Sequence, residues 1–471
     1  MRHKNLCNLL SHIQRGTTPK QWENAKGRIK KDAAYLEQLL NQSNPPKIYG
    51  VNTLVGHLDN VSVDKKEVDA FQNELLENHS IGIGENYSDY EIKCISYAKL
   101  HAFSLGGSGI TSSLYDYLIQ IMKQQDFPTY VPKNSSYSCG DVIPAAHWAR
   151  EMTSTLQKEY NYTLQRKEGL SLINGSFVHV GIAIAKLINI QSVWTLYNFN
   201  SIQYAKVLNT KQNTYTKNVL LDDADSMHLP LNWLTKEITE DGQYNVQHPV
   251  SIRSYPQVAS ALFNSITAYM DSIEEQLTRR SDNPIVLFEE EDPISQASFL
   301  APMISLATSQ LIDAILLTMW QIERRVHFLL SGEVSGIPLN AKDKDNKLGF
   351  IQVPKLISAK LEESRLKSGR RTFASGSSTS YGIEDIWTNG LSVLETLDDL
   401  IKNMNSMMAI EFALLLQIND RFLNKLSFDK RFQKYMNIEN FRDQFTLLID
   451  DHEKQQLPIN YNLHPFDMLT E

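Results

Sequence analysis

The loop Asn134-Ser135-Ser136-Tyr137-Ser138-Cys139-Gly140-Asp141 gathers hydroxyls, a thiol, a glycine and a carboxylate in one short stretch. Val142-Ile143-Pro144-Ala145-Ala146-His147 follows and reads as the start of a buried helix. A thiol just before a helix N-terminus is expected to have a lowered pKa and to be reactive, so Cys139 is a candidate nucleophile. Asp141 is expected to cap that helix. The competing reading of Cys139 is a buried, inert thiol in a turn. Cys7, Cys94 and Cys139 lie far apart, and neither a Cys-x-x-Cys pair nor a His-x-x-x-His spacing occurs. Neither a disulfide framework nor a metal site is therefore expected. Gly106-Gly107-Ser108-Gly109 lacks the Lys-Ser/Thr of a phosphate loop.

The elements that must position this loop read as helices. Val258, Leu262, Ile266, Met270, Ile273 and Leu277 recur every three or four residues, the stripe of an amphipathic helix. Leu394, Leu397, Ile401, Met404 and Met408 alternate steps of three and four, a bundle seam. Met303–Ser331 has no glycine or proline and is apolar on most sides; it predicts a helix of about 44 Å buried at the centre of a core. Alternating strand patterns are few. The expected fold is mainly α, with an N-terminal active-site region over 1–190 and a long-helix bundle with a C-terminal helical region over 191–471. Pro128–Pro144, Asp241–Pro256, Lys342–Lys347 and Arg370–Gly382 read as loops, the third of them exposed. Long loops inside a helical protein are functional or disordered.

Composition excludes some functions. Of 471 residues, 42% are apolar and 21% charged, as in a soluble globular protein, and the net charge of −8 argues against a broad nucleic-acid surface. The uncharged stretch Pro293–Ile312 is too polar for a membrane span, and the N-terminus lacks a signal-peptide core. A cytoplasmic setting is expected.

Eight motifs in order resemble the histidine/phenylalanine ammonia-lyase family. They are Tyr49-Gly50-Val51-Asn52-Thr53; Leu75 to Gly84 with Asn78-His79; Gly106 to Ile110; and Cys139-Gly140-Asp141 with Pro144 and His147. Then come Lys167-Glu168-Gly169-Leu170 with Ile173-Asn174-Gly175-Ser176; Arg253 with Pro256-Gln257-Val258; Asp282-Asn283-Pro284; and Glu384-Asp385. The resemblance implies a helical fold with a long central bundle and a homotetramer whose active sites each draw on three subunits. It implies removal of ammonia from an α-amino acid, or a 2,3-shift of the amino group. It also implies an electrophile, methylidene-imidazolone (MIO), formed autocatalytically from Ser138-Cys139-Gly140, with no metal or dissociable cofactor. In that condensation the Gly140 nitrogen attacks the Ser138 carbonyl and water leaves. Cys139 then loses hydrogen sulfide where the family's serine loses water.

The resemblance further implies Tyr49 as base, with Asn174 and Arg253 anchoring the substrate carboxylate. Phe299 matches a site phenylalanine. His79 and Glu384 match positions that favour a polar ring over phenylalanine. The chain also departs from the family. The triplet is Ser-Cys-Gly rather than Ala-Ser-Gly, and Tyr137 replaces a glycine, so its bulk is expected to crowd the turn. A family tyrosine is Val250, an asparagine is Ser298, a histidine is Leu300 and a glutamine is Ile383. A second reading therefore stands beside the first: a homologue without MIO that binds an amino-acid-like ligand, uses Cys139 as a thiolate, or is a non-catalytic partner.

Overall fold

The computed structural model describes residues 2–133, 135–210, 212–222, 226–238, 247–332, 335–369, 378–423, 432–438 and 440–453. The loop Asp241–Pro256 is thus described from residue 247 and Arg370–Gly382 from residue 378; their other residues, and Asn134, lie outside the described residues. Among the described residues there is no strand, only four isolated bridges, and the architecture is helical throughout.

The chain divides into two compact units. The first is Met1–Lys186, Tyr269–Ala307 and Arg371–Glu395; the second is Leu187–Ala268, Thr308–Arg370 and Thr396–Glu471. The chain therefore returns to the first unit twice after residue 190.

In the first unit the helix Asp89–Ser104 begins at a capping box: Ser88 and Glu91 each satisfy the other's backbone N–H. Gln72, on the helix Val68–His79, accepts from Leu170 N at 3.0 Å and donates to Gly50 O at 3.2 Å. One side chain thus ties the Tyr49-Gly50 turn to the short helix Glu168–Ile173. Gly169 sits directly on the backbone of Gln72, where a Cβ would collide with a carbonyl.

In the second unit the buried Arg325 grips Glu411 with two bonds of 2.8 and 2.9 Å and donates to Ser201 Oγ at 2.7 Å. Tyr204 Oη donates to the Arg325 carbonyl at 2.7 Å, and Tyr255 Oη to Asn198 Oδ1 at 2.6 Å.

The expected stripes are buried. Val258 to Leu277 lie on the helix Tyr255–Leu277, and Leu394 to Met408 on the helix Gly390–Ile418. The expected central helix forms as Pro302–Leu329, but its burial needs correction. Met303, Leu306, Leu317 and Trp320 are 45%, 49%, 42% and 58% exposed. Apolar content alone does not distinguish a helix covered by its own chain from one that presents an apolar side outward. By length and composition Glu168–Val207 and Pro302–Leu329 pass as membrane spans; 89% and 50% of their most apolar windows are buried in the fold. Lys342–Lys347 is mostly exposed, as expected.

Candidate active site

The Ser138-Cys139-Gly140 turn is built by left-handed backbone. Ser138 has φ 62° and Gly140 φ 85°, and Asp141 follows at 47°. Glycine takes this conformation without the penalty of a Cβ. Three bonds fix Ser138: its N–H donates to Ser136 Oγ at 3.0 Å, its Oγ accepts from Leu391 N at 3.1 Å, and its carbonyl accepts from Thr388 Oγ1 at 3.3 Å. The turn therefore rests on the segment that leads into the helix Gly390–Ile418.

Three local expectations need correction. Asp141 occupies the N-cap position of the helix Val142–Tyr160 but caps nothing with its side chain. Its carboxylate instead accepts from Ser136 Oγ at 2.7 Å, and burial pushes its pKa up to about 6. Cys139 is half-buried, and its pKa is raised to about 11, not lowered. Burial is the main cause, and the charges of Glu384, Asp141 and Asp385 add to it. The helix end is outweighed, so Cys139 is a thiol at neutral pH. Tyr137 does not fill the turn: it is 58% exposed and stacks on Trp387.

A cavity of about 570 Å³ opens on this turn. Cys139 and Gly140 line it together with Tyr49, His79, Asn174, Phe299 and Glu384. Tyr49 packs against Phe71, Leu75 and Leu170, and its Oη accepts from Gly56 N at 2.9 Å. Burial raises its pKa, as do Glu384, Asp59 and Cys139, against the Gly56 N–H. The phenol is therefore protonated at rest. His79 ends the helix Val68–His79 with Nδ1 2.7 Å from Leu75 O. A carbonyl only accepts, so Nδ1 carries a proton. Asn174 caps the helix Glu168–Ile173, and its Nδ2 donates to Asn283 O at 2.8 Å. Phe299 faces Gly140, 3.7 Å from where a Cβ would stand. Glu384 accepts from Thr379 Oγ1 at 2.5 Å.

Two expected participants are not in the lining. Ser138 is buried behind the turn. Arg253 belongs to the second unit, exposed at the end of Val250–Arg253, where Val250 is also exposed. Of the replaced family positions, Leu300 and Ile383 line the cavity. Sequence reasoning missed His57 and Asp59, which also line it. His57 lies against Tyr381, ring centroids 4.4 Å apart. Their one signal was proximity to the Tyr49 motif. The lining contains no lysine or arginine among the described residues. Nor does any group of three or more His, Cys, Asp or Glu there suit a metal.

Solved structures of the same architecture are helical lyases and aminomutases. Ergothionase, an ergothioneine-degrading enzyme of Treponema denticola, superposes with a TM-score of 0.87 at 16% identity, covering 97% of this chain and 98% of that one. Tyrosine aminomutase of Streptomyces globisporus superposes at 0.81 with 18% identity, covering 96% and 95%. The fold is thus that of the aromatic amino acid lyases. In sequence, the family model for aromatic amino acid lyases matches residues 6–427, and the chain belongs to that family. It is 25% identical to a histidine ammonia-lyase of Vibrio cholerae over 475 aligned residues, 94% of this chain and 92% of that protein.

Proposed function

We propose that the chain is a carbon–nitrogen lyase or 2,3-aminomutase acting on an aromatic or histidine-like α-amino acid. One observation carries this reading: Cys139 and Gly140 share a single cavity with Tyr49, Asn174, His79 and Glu384. The triplet fits an autocatalytic MIO. The left-handed φ values of Ser138 and Gly140 turn the chain back on itself, and Thr388 donates to the carbonyl that the ring closure would consume. Such a group supplies an electrophile that makes a poor amine leaving group a good one.

The chain's own residues would do the rest. Tyr49, once ionised, takes the β-proton. Asn174 orients the substrate carboxylate. His79 and Glu384 meet a polar ring. Arg253, with the planar fork that suits a carboxylate, would serve the cavity of another subunit in a homotetramer. The exposed apolar side of Pro302–Leu329 is compatible with such an assembly. No metal or dissociable cofactor is invoked, and a cytoplasmic setting is proposed.

Intact mass with peptide mapping across Pro132 to Arg150 tests the electrophile. Loss of one water and one hydrogen sulfide is expected, followed by ammonia release in an amino-acid screen that Cys139→Ala abolishes. An unmodified mass would overturn the MIO reading. The second reading, an MIO-free binding protein, is favoured by apolar Leu300 and Ile383 in the lining. Its thiolate version is disfavoured by the raised pKa of Cys139.

A further inference from the structure

Behind Asn174 the first unit buries two lysines against one carboxylate. Lys99, on the helix Asp89–Ser104, is 2% exposed. Its Nζ donates to the carbonyls of Ser171 and Asn174, the latter at 2.8 Å. It lies 4.3 and 4.5 Å from the ring centroids of Phe177 and Phe103. Lys167, also buried, donates to Ser171 Oγ at 2.8 Å and pairs with Asp282 at 3.0 Å. With both lysines protonated, this cluster carries one net positive charge. It adjoins Asn174, whose side chain lines a cavity that has no cation of its own among the described residues.

We propose that Lys99 is a positioning residue: it fixes Asn174 through its carbonyl and adds, from behind the wall, positive potential to the hold on the carboxylate of an α-amino acid that Arg253 would reach from another subunit. This rests on reading the cavity as an amino-acid site. A neutral donor would satisfy the same carbonyls without the cost of burying a charge, so the fold alone does not call for an ammonium here. A charge in a low-dielectric wall acts strongly at short range.

The charge also titrates in a useful range. Burial lowers the Lys99 pKa to about 7; Asp282 raises it and Lys167 lowers it further. Phe103 and Phe177, which flank it, carry no charge. Lys99 is thus an ammonium below about pH 7 and an amine above it, and its hold on an anion weakens as pH rises.

The test uses L-histidine and histamine, which differ by the carboxylate alone, in binding calorimetry on the full chain at pH 6 and pH 8. The imidazole common to the two ligands cancels in the affinity ratio, and the Lys99 variants separate the pH slope of Lys99 from that of any other group lining the cavity. The wild type is expected to prefer L-histidine at pH 6 and to lose about tenfold of that preference by pH 8. Lys99→Gln should lose about tenfold already at pH 6 and show no further pH dependence. Lys99→Arg keeps its charge throughout, and should keep the preference at both pH values. It carries the test if the glutamine variant does not fold, because binding retained with the pH slope removed is not a sign of misfolding. A glutamine variant with undiminished preference, or an arginine variant with the wild-type slope, would overturn the role of Lys99 and leave the amino-acid site standing. Failure of the wild type to bind L-histidine, or equal affinity for both ligands, would overturn the histidine-like reading of the site and this inference with it.

Discussion

Tyr137 stacks on Trp387 with ring centroids 4.6 Å apart and planes at 25°. The Tyr137 carbonyl accepts from Asn389 N at 3.0 Å, so side chain and backbone both dock the triplet loop onto the segment 387–389. The phenol ring leans away from the turn, and the left-handed step is taken by Ser138. Tyr137→Gly is therefore expected to leave the extent of mass loss at the triplet unchanged. It should lower stability by about 0.5–1.5 kcal/mol through the lost ring pair. A rise in mass loss in that variant would mean that the ring does obstruct the turn.

Cys139 should be slow to alkylate. With a pKa of about 11, about one thiol in ten thousand is ionised at pH 7. In any fraction of the protein that keeps the thiol, the rate of reaction with iodoacetamide should rise about tenfold per pH unit from 7 to 10. Glu384→Gln removes one of the charges that raise this pKa and should speed the reaction. A rate already at its plateau at pH 7 would contradict the geometry.

Asp141 predicts an unusual pH term in stability. Its folded pKa, about 6, lies above that of an unfolded aspartate, so folding favours the protonated form. The stabilising contribution is complete below about pH 4 and is lost as pH rises through about 6, a swing of about 3 kcal/mol. Asp141→Asn, which cannot ionise, should gain on the wild type over that interval in urea titrations at pH 4, 5.5 and 7. Parallel curves for the two proteins would refute it.

The Arg325–Glu411 pair is buried on both sides, with side chains 2% and 0% exposed. Glu411→Ala leaves a buried guanidinium without its partner and should cost about 3–5 kcal/mol. Glu411→Ala combined with Arg325→Met should recover part of that loss, readable as a partial return of the thermal midpoint. A single variant as stable as the wild type would show that the charge finds water or another acceptor.

Much of the candidate site is legible through the motifs that resemble the ammonia-lyase family. Tyr49, His79, Asn174, Phe299 and Glu384 stand in motifs far apart in sequence, and the fold brings all five to one cavity with Cys139 and Gly140. His57 and Asp59 carried no such signal, since one histidine and one aspartate beside a motif look like any loop residues. Lys99 is less legible still. In sequence it is one more lysine on a helix. Its burial depends on Ser171, Asn174 and Phe177, some seventy to eighty residues further on.

The sequence by itself determined the helices and their buried stripes, because apolar periodicity is a local property that needs only 3.6 residues per turn to be read. It also determined the family, through motifs that keep their order. Tertiary structure alone decided the charge state of Cys139, the partner of Asp141, the exposure of Pro302–Leu329 and the placing of Arg253 outside the unit that holds the cavity. The charge state of Cys139, for one, depends on desolvation and on the charges of Glu384 and Asp385, delivered by a segment distant in sequence. Burial and electrostatic potential belong to three-dimensional surroundings, and no spacing along the chain encodes them.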